Sequence, residues 1–168
     1  MKFRYARKEE TPALLPAMFD LLYENMRCII PDGRPEEVQR AEWLAQAGPA
    51  LSGEKRRLCL MEQAGELRGF FWYYIKDGTL MMEEIQLRKE HQGTGLFRRF
   101  FVWLIDKMPK DIDRVEAYAH RENHKSQSIL EYLGLRAVPE TFGNEYILYR
   151  GSYSLMAERI NQKERGNG

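Results

Sequence analysis

Only two cysteines, Cys28 and Cys59, occur in the chain, and their separation fits neither a CxxC nor another metal-ligand spacing. A disulfide scaffold does not fit so few, no metal is expected, and a reducing, cytoplasmic setting suits them better. Charge of one sign is also missing: 26 Lys and Arg stand against 25 Asp and Glu, for a formal net charge of +1. A protein that grips nucleic acid through its general surface needs a strong positive excess, so no nucleic-acid partner is expected. No apolar run reaches the roughly 18–20 residues that span a bilayer. The opening stretch MKFRYARKEE carries no apolar signal core. Neither a membrane partner nor secretion is therefore expected. Internal repeats, linkers and low-complexity blocks are absent too, and one domain over 1–151 with an extension over 152–168 is the simplest reading.

What is present suits a packed chain: 168 residues, 12% of them aromatic, are enough to bury a proper core. Lys2–Ala6 alternates as a strand, and Thr11 is placed to cap a helix whose first position is Pro12 and whose stripe is Leu14, Leu15, Met18, Leu21, Leu22 and Met26. A turn over Pro31–Arg34 leads to a second helix from Pro35 to about Ala47, with Gly48-Pro49 read as loop. Strands follow at Arg57–Glu62, Leu67–Lys76 and Thr79–Leu87, joined by Ala64-Gly65 and by the strong hairpin pair Asp77-Gly78. A helix from Leu96 to Met108 stops at Pro109. A strand over Asp113–His120, a helix over Asn123–Leu133 ended by Gly134, and strands at Leu135–Val138 and Tyr146–Tyr149 complete the pattern. The tail from Ser152 reads as a helix that frays from Asn161. The order β-α-α-β-β-β-α-β-α-β-β is a mixed α/β fold.

The stretch LRKEHQGTGLFRRFFVWLIDKM, Leu87–Met108, organises the rest. A strand ends, two glycines follow, and an apolar helix begins. The first N–H groups of a helix lack internal partners and carry partial positive charge, so such a turn suits an anion. Glycines remove the Cβ atoms that would hold a phosphate away.

This order, with a glycine loop after the fourth strand, resembles the GNAT superfamily of acyl-CoA-dependent N-acetyltransferases over nearly the whole chain. Two patterns carry the resemblance. The family's acyl-CoA loop, V-x-P-x-x-R-G-x-G, reads here Leu87-Arg88-Lys89-Glu90-His91-Gln92-Gly93-Thr94-Gly95. Lys89 replaces the usual proline, Gln92 the usual arginine, and Glu90 stands where the Q/R-x-x-G-x-G form has Gln or Arg. The family's N-x-x-A-x-x-x-Y-x-x-x-G-F reads here Asn123, Ser126, Leu130, Gly134, Leu135, with leucine in place of the tyrosine.

The resemblance implies an acetyl-CoA co-substrate. Its pyrophosphate would be surrounded by the backbone amides of Gln92, Gly93, Thr94, Gly95 and Leu96, with the Thr94 hydroxyl and Arg88, Arg98 and Arg99 in reach. Its pantetheine arm would bond to backbone of the Ile85–Leu87 region and to Asn123, near Ser126. A small-molecule or peptide amine must be neutral to attack the thioester, so a base is useful. The candidates are Glu84, Tyr118 and His120, with Glu83 on the opposite strand face and Glu116 sharing the face of Tyr118 and His120. The family's general acid is the tyrosine that Leu130 replaces, and Tyr132 is turned about 200° from it. A non-catalytic acyl-CoA-binding domain is therefore the competing reading. The acceptor side would lie around Asn25–Arg34, with Tyr23, Glu24 and Arg34 as its polar groups. A homodimer is left open, with Phe70–Ile75 and Tyr146–Tyr149 as the apolar strands offered for an edge.

Overall fold

Two residue pairs with left-handed backbone set the first strand reversals. Ala64 and Gly65 have φ of 53° and 79°, and Asp77 and Gly78 have φ of 49° and 70°, the signs of two-residue hairpin turns whose twist matches antiparallel strands. The first pair joins β2 (Arg57–Gln63) to β3 (Glu66–Lys76), and the second joins β3 to β4 (Thr79–Leu87). The computed structural model describes residues 1–162. Before these strands come β1 (Lys2–Tyr5), α1 (Thr11–Met26) and α2 (Glu36–Ser52). After them come α3 (Leu96–Ile105), β5 (Arg114–His120), α4 (His124–Tyr132), β6 (Arg136–Ala137), β7 (Tyr146–Ser152) and α5 (Tyr153–Gln162). The seven strands form one mixed sheet in the order β1-β2-β3-β4-β5-β7-β6, in which β4 and β5 are parallel. The α/β class and element order match the sequence reading.

The chain divides into two compact units, one of residues 1–74 with 84–94, the other of residues 75–83 with the chain from 95 on. In the first, Leu15, Met18 and Leu21 of α1 and Ala47 and Leu51 of α2 share a core with Leu58, Leu60 and Phe70 of the sheet. Each fully buried side chain of this size contributes roughly 1.5–3 kcal/mol. The backbones of β3 and β4 approach closely at Gly69, where an added Cβ would stand 2.8 Å from the Gln86 carbonyl oxygen and 2.6 Å from Leu87 Cδ2. At the sheet edge, Arg4 of β1 bonds both Glu62 of β2 and Glu10. The hydrogen bond from Arg4 holds the Glu10 carboxyl below its ordinary value.

In the second unit, Leu96, Phe100, Phe101 and Leu104 of α3, Val115, Ala117 and Ala119 of β5, and Met156 and Ile160 of α5 are buried. Gly134, with φ of 93°, ends α4 in the left-handed conformation that glycine adopts without strain.

Four expectations change. Helix α2 runs through Gly48-Pro49 to Ser52, because burial of Ala47 and Leu51 outweighs the hydrogen bond that Pro49 cannot make. Thr11 is the first residue of α1 rather than its cap; its hydroxyl donates to the Arg7 carbonyl at 3.2 Å. Helix α3 ends at Ile105, ahead of Pro109. Strand β3 lies inside the sheet, so Phe70–Ile75 offers no edge for a dimer. Of the tail expected to fray from Asn161, Asn161 and Gln162 belong to α5, and 163–168 lie outside the described residues.

Gly69→Ala should cost about 1–3 kcal/mol in urea denaturation, because the Gln86 carbonyl as well as the Leu87 side chain must yield to the new methyl. The Arg4–Glu10 bond gives a second expectation. A carboxyl with a depressed folded pKa contributes stability above its unfolded pKa, near 4.5, and loses it as pH falls through the lower folded value. Arg4→Met should therefore flatten the acid limb of a stability profile measured from pH 6 to pH 3.

Candidate active site

The parallel ladder between β4 and β5 has four rungs, from Thr79 opposite Arg114 to Met82 opposite Ala117. Both strands continue past the last rung, β4 to Leu87 and β5 to His120. Glu84, Ile85 and Leu87 lie on this unladdered end of β4, and Tyr118 and His120 on that of β5. The end of β5 stays paired on its other side, with Tyr118 opposite Leu148 and His120 opposite Tyr146 of β7.

In the first unit the end of β4 is fastened by a line of amides. Asn25, in the last turn of α1, donates through Nδ2 to Gln86 Oε1 at 2.8 Å and to the Leu87 carbonyl at 2.9 Å. The Gln86 amide then donates to Glu84 Oε1 at 2.7 Å, since alternation puts both side chains on one strand face. The Gln92 side chain donates to the Leu87 carbonyl at 3.0 Å and to Asn25 Oδ1 at 3.3 Å. Sequence reasoning missed Asn25 and Gln86. A signal existed for Asn25, which falls at helical spacing on the apolar stripe of Met18, Leu21 and Leu22.

The loop itself leaves a row of donors. Gly93 and Gly95 have φ of 76° and 78°, and a Cβ at either would meet no protein atom within 4 Å. Glycine is needed there for the backbone, not for packing. Among the described residues, the backbone N–H groups of Gly93, Thr94, Gly95 and Leu96 donate to no protein acceptor. No side chain caps α3, and no acidic residue lies in its first turn, so its positive end is uncompensated. The Gln92 N–H is different: it donates to the Lys89 carbonyl at 3.1 Å. The Thr94 hydroxyl donates to the His91 carbonyl at 2.7 Å, which uses its one proton.

The three arginines separate. Arg88 Nε donates to the Leu67 carbonyl at 3.0 Å, and Arg98 Nε donates to the Ile160 carbonyl of α5 at 2.8 Å. Arg99 is exposed in the first turn of α3, with no ion pair among the described residues. On the connection after α1, Arg34 is paired with Asp32 and with Glu42, and its hydrogen bond holds the Asp32 carboxyl down at about 2. Glu24 lies 3.9 Å from Lys89, and Tyr23 stacks on Phe19.

In the second unit, Asn123 precedes α4 and its Oδ1 accepts from the Ser126 N–H at 3.1 Å, which makes it the helix cap. His120 is buried; its Nδ1 accepts from the Glu122 N–H at 3.1 Å and its Nε2 lies 3.5 Å from Glu145 Oε1. Glu116 is bonded to Arg150 at 2.6 Å. Tyr118 is 56% exposed, Tyr132 is 51% exposed, and Leu130 is buried. The leucine that stands in for the expected tyrosine is thus a core residue.

Solved structures settle what architecture this is. PaiA N-acetyltransferase from Thermoplasma acidophilum, in complex with coenzyme A, superposes with a TM-score of 0.73 at 14% identity, covering 90% of this chain and 98% of that one. The chain has the GNAT acetyltransferase fold. A point mutant of the spermidine N-acetyltransferase from Vibrio cholerae is similar over 97% of this chain and 99% of its own, with TM-score 0.59 and 18% identity. The ribosomal-protein-S18-alanine N-acetyltransferase from Escherichia coli is similar over 90% and 92%, with TM-score 0.58 and 17% identity. No protein-family model matches the chain, and no curated protein matches it in sequence. In this GNAT fold the loop after β4 and the cap of α4 fall where the two sequence patterns put them. No helix among the described residues is long and apolar enough to cross a membrane, and no group of His, Cys, Asp and Glu there could hold a metal ion.

Asn123→Ala should remove the α4 cap at a cost of about 1 kcal/mol, read as a fall of roughly 2–4 °C in melting temperature.

Proposed function

We propose that this protein is an N-acetyltransferase that moves the acetyl group of acetyl-CoA to a primary amine. One observation carries the reading: the unpartnered N–H groups of Gly93, Thr94, Gly95 and Leu96 in front of the uncapped α3. Four such donors with a positive helix end match a pyrophosphate, and the backbone there has room for one, since even a Cβ would touch nothing. Arg99 is the side chain placed to add a bidentate contact to a phosphate. Gln92 serves the loop through its side chain rather than its own N–H. The β4 backbone at Ile85 and Leu87, past the last rung with β5, is the part of the first unit that takes the pantetheine arm. When bound, acetyl-CoA supplies an activated acyl thioester.

Glu84 is the base that takes the proton from the acceptor's ammonium. Its carboxylate is oriented by the Gln86 amide at 2.7 Å. Tyr118, exposed on the end of β5, lines the acceptor side. Spermidine and the alanine of a ribosomal protein, the acceptors named for two structures of the same fold, are the classes to try first. The buried Leu130 favours a second reading, a domain that binds acyl-CoA without turnover.

Coenzyme A should raise the melting temperature, while ATP and NAD should not; equal shifts from all three would sink the cofactor reading. Free thiol released from acetyl-CoA across a panel of polyamines, aminoglycosides and alanine-terminated peptides decides between transferase and binding domain. Binding with no turnover on any amine selects the second reading. With an active amine, Glu84→Gln should lower kcat roughly 10²–10⁴-fold and leave KM for acetyl-CoA within about twofold, because an unchanged cofactor site binds as before.

A further inference from the structure

We infer that Gln86 and Asn25 are positioning residues that tie the Glu84 carboxylate to the cofactor loop. The inference rests on the reading of Glu84 as the base, and it concerns two residues that touch neither the cofactor loop's donors nor the acceptor in that reading.

The chemistry of the groups fixes the direction of the line. An ionised carboxylate only accepts, so Gln86 must turn its NH2 toward Glu84. That leaves Gln86 Oε1 facing Asn25, which must answer with its own NH2 at 2.8 Å. The second Nδ2 proton of Asn25 serves the Leu87 carbonyl at 2.9 Å, and Asn25 Oδ1 is left to accept from Gln92 at 3.3 Å. Glu84, Gln86, Asn25 and Gln92 therefore form one line with no ambiguous amide. Gln86 is buried, 7% exposed, so water cannot stand in for its bonds. Asn25 comes from α1, Glu84 and Gln86 from β4, and Gln92 from the loop that carries the donors. A shift of one end of the line is passed to the other through polar contacts whose alternatives are unsatisfied groups.

A role exerted through Glu84 differs from general support of the fold in how the losses combine. Gln86→Met keeps the side-chain volume and removes both bonds. With the best amine of the panel it should lower kcat roughly tenfold through misplacement of the base, with KM for acetyl-CoA within about twofold. In the Glu84→Gln background, Gln86→Met should cost nothing more, since effects of groups acting as a unit do not add. Asn25→Ala acts on both ends: a comparable fall in kcat, and a roughly tenfold weaker calorimetric Kd for coenzyme A as the Gln92 amide and Leu87 carbonyl lose their shared partner. Far-UV circular dichroism checks each fold, and Asn25→Ser at a partly exposed position gives the same pair of readouts should Gln86→Met not fold. Wild-type kcat in Gln86→Met, fully additive losses in the double variant, or an unchanged coenzyme A affinity in Asn25→Ala overturns the proposal. Wild-type kcat in Glu84→Gln removes the base assignment and the proposal together, whereas loss there with Gln86→Met unaffected removes the proposal alone.

Discussion

Two side-chain amides converge on the Leu87 carbonyl, from Asn25 at 2.9 Å and from Gln92 at 3.0 Å, at the residue where β4 ends and the loop to α3 begins. Past its last rung with β5, that edge of β4 must find other partners for its polar backbone, or each unpaired group costs about as much as a lost hydrogen bond. Here the partners come from α1 and from the loop itself. The backbone can then turn through the short 3-10 segment Lys89–His91 into α3. The same two side chains that close the end of β4 also set where Gly93 and Gly95 begin. In the proposed reading, Glu84 and the glycine loop are thus held by one line of amides, although neither is next to the other in sequence.

The loop explains why its departures from the family pattern are tolerable. Arg88 has φ of −57° and ψ of 145°, the extended conformation that a following proline would impose, so Lys89 reaches the same backbone path without one. Glu90 and Gln92 stand where the pattern has Gln or Arg, while the donors offered by Gly93 to Leu96 are backbone and need no side-chain identity. Only the two positive-φ positions are constrained, and both are glycine. The side-chain proton that the sequence suggested for a phosphate, that of the Thr94 hydroxyl, is spent on His91, and the Gln92 side-chain amide serves Leu87 and Asn25.

What could be read from the sequence was what is encoded locally. Ala64-Gly65 and Asp77-Gly78 announce their turns because few residues accept positive φ, and Gly93-x-Gly95 before an apolar run announces a helix start for the same reason. The cap at Asn123 is local too. What was hidden depends on contacts distant in sequence. Gly48-Pro49 looks like a break, and only the burial of Ala47 and Leu51 against Leu15, Met18 and Leu60 carries α2 past it. Arg88 and Arg98 each give their Nε to a carbonyl, of Leu67 and of Ile160, that only the fold brings to them. Asn25 and Gln86 are separated by 61 residues, and no window of sequence contains both.

The buried Leu130 bears on which half of the reaction needs help. An acceptor amine with the pKa of a lysine, about 10.4, is neutral in roughly one molecule in 10³ at pH 7, whereas a departing thiolate has a conjugate acid near 8.5. The two conjugate acids differ by about 1.9 pKa units, so the amine loses roughly 10²-fold more to protonation equilibrium than the thiolate loses by leaving unprotonated, and a thiolate is an acceptable leaving group in its own right. On the proposed reading, the carboxylate of Glu84, oriented by Gln86, serves the step with the larger effect, while Leu130 is buried. Restoring a tyrosine at 130 would place a hydroxyl among apolar neighbours, where an unmatched proton costs about 1–3 kcal/mol. The leucine thus suits packing on one side of α4 and, in the proposed transfer, a step limited at attack rather than at departure.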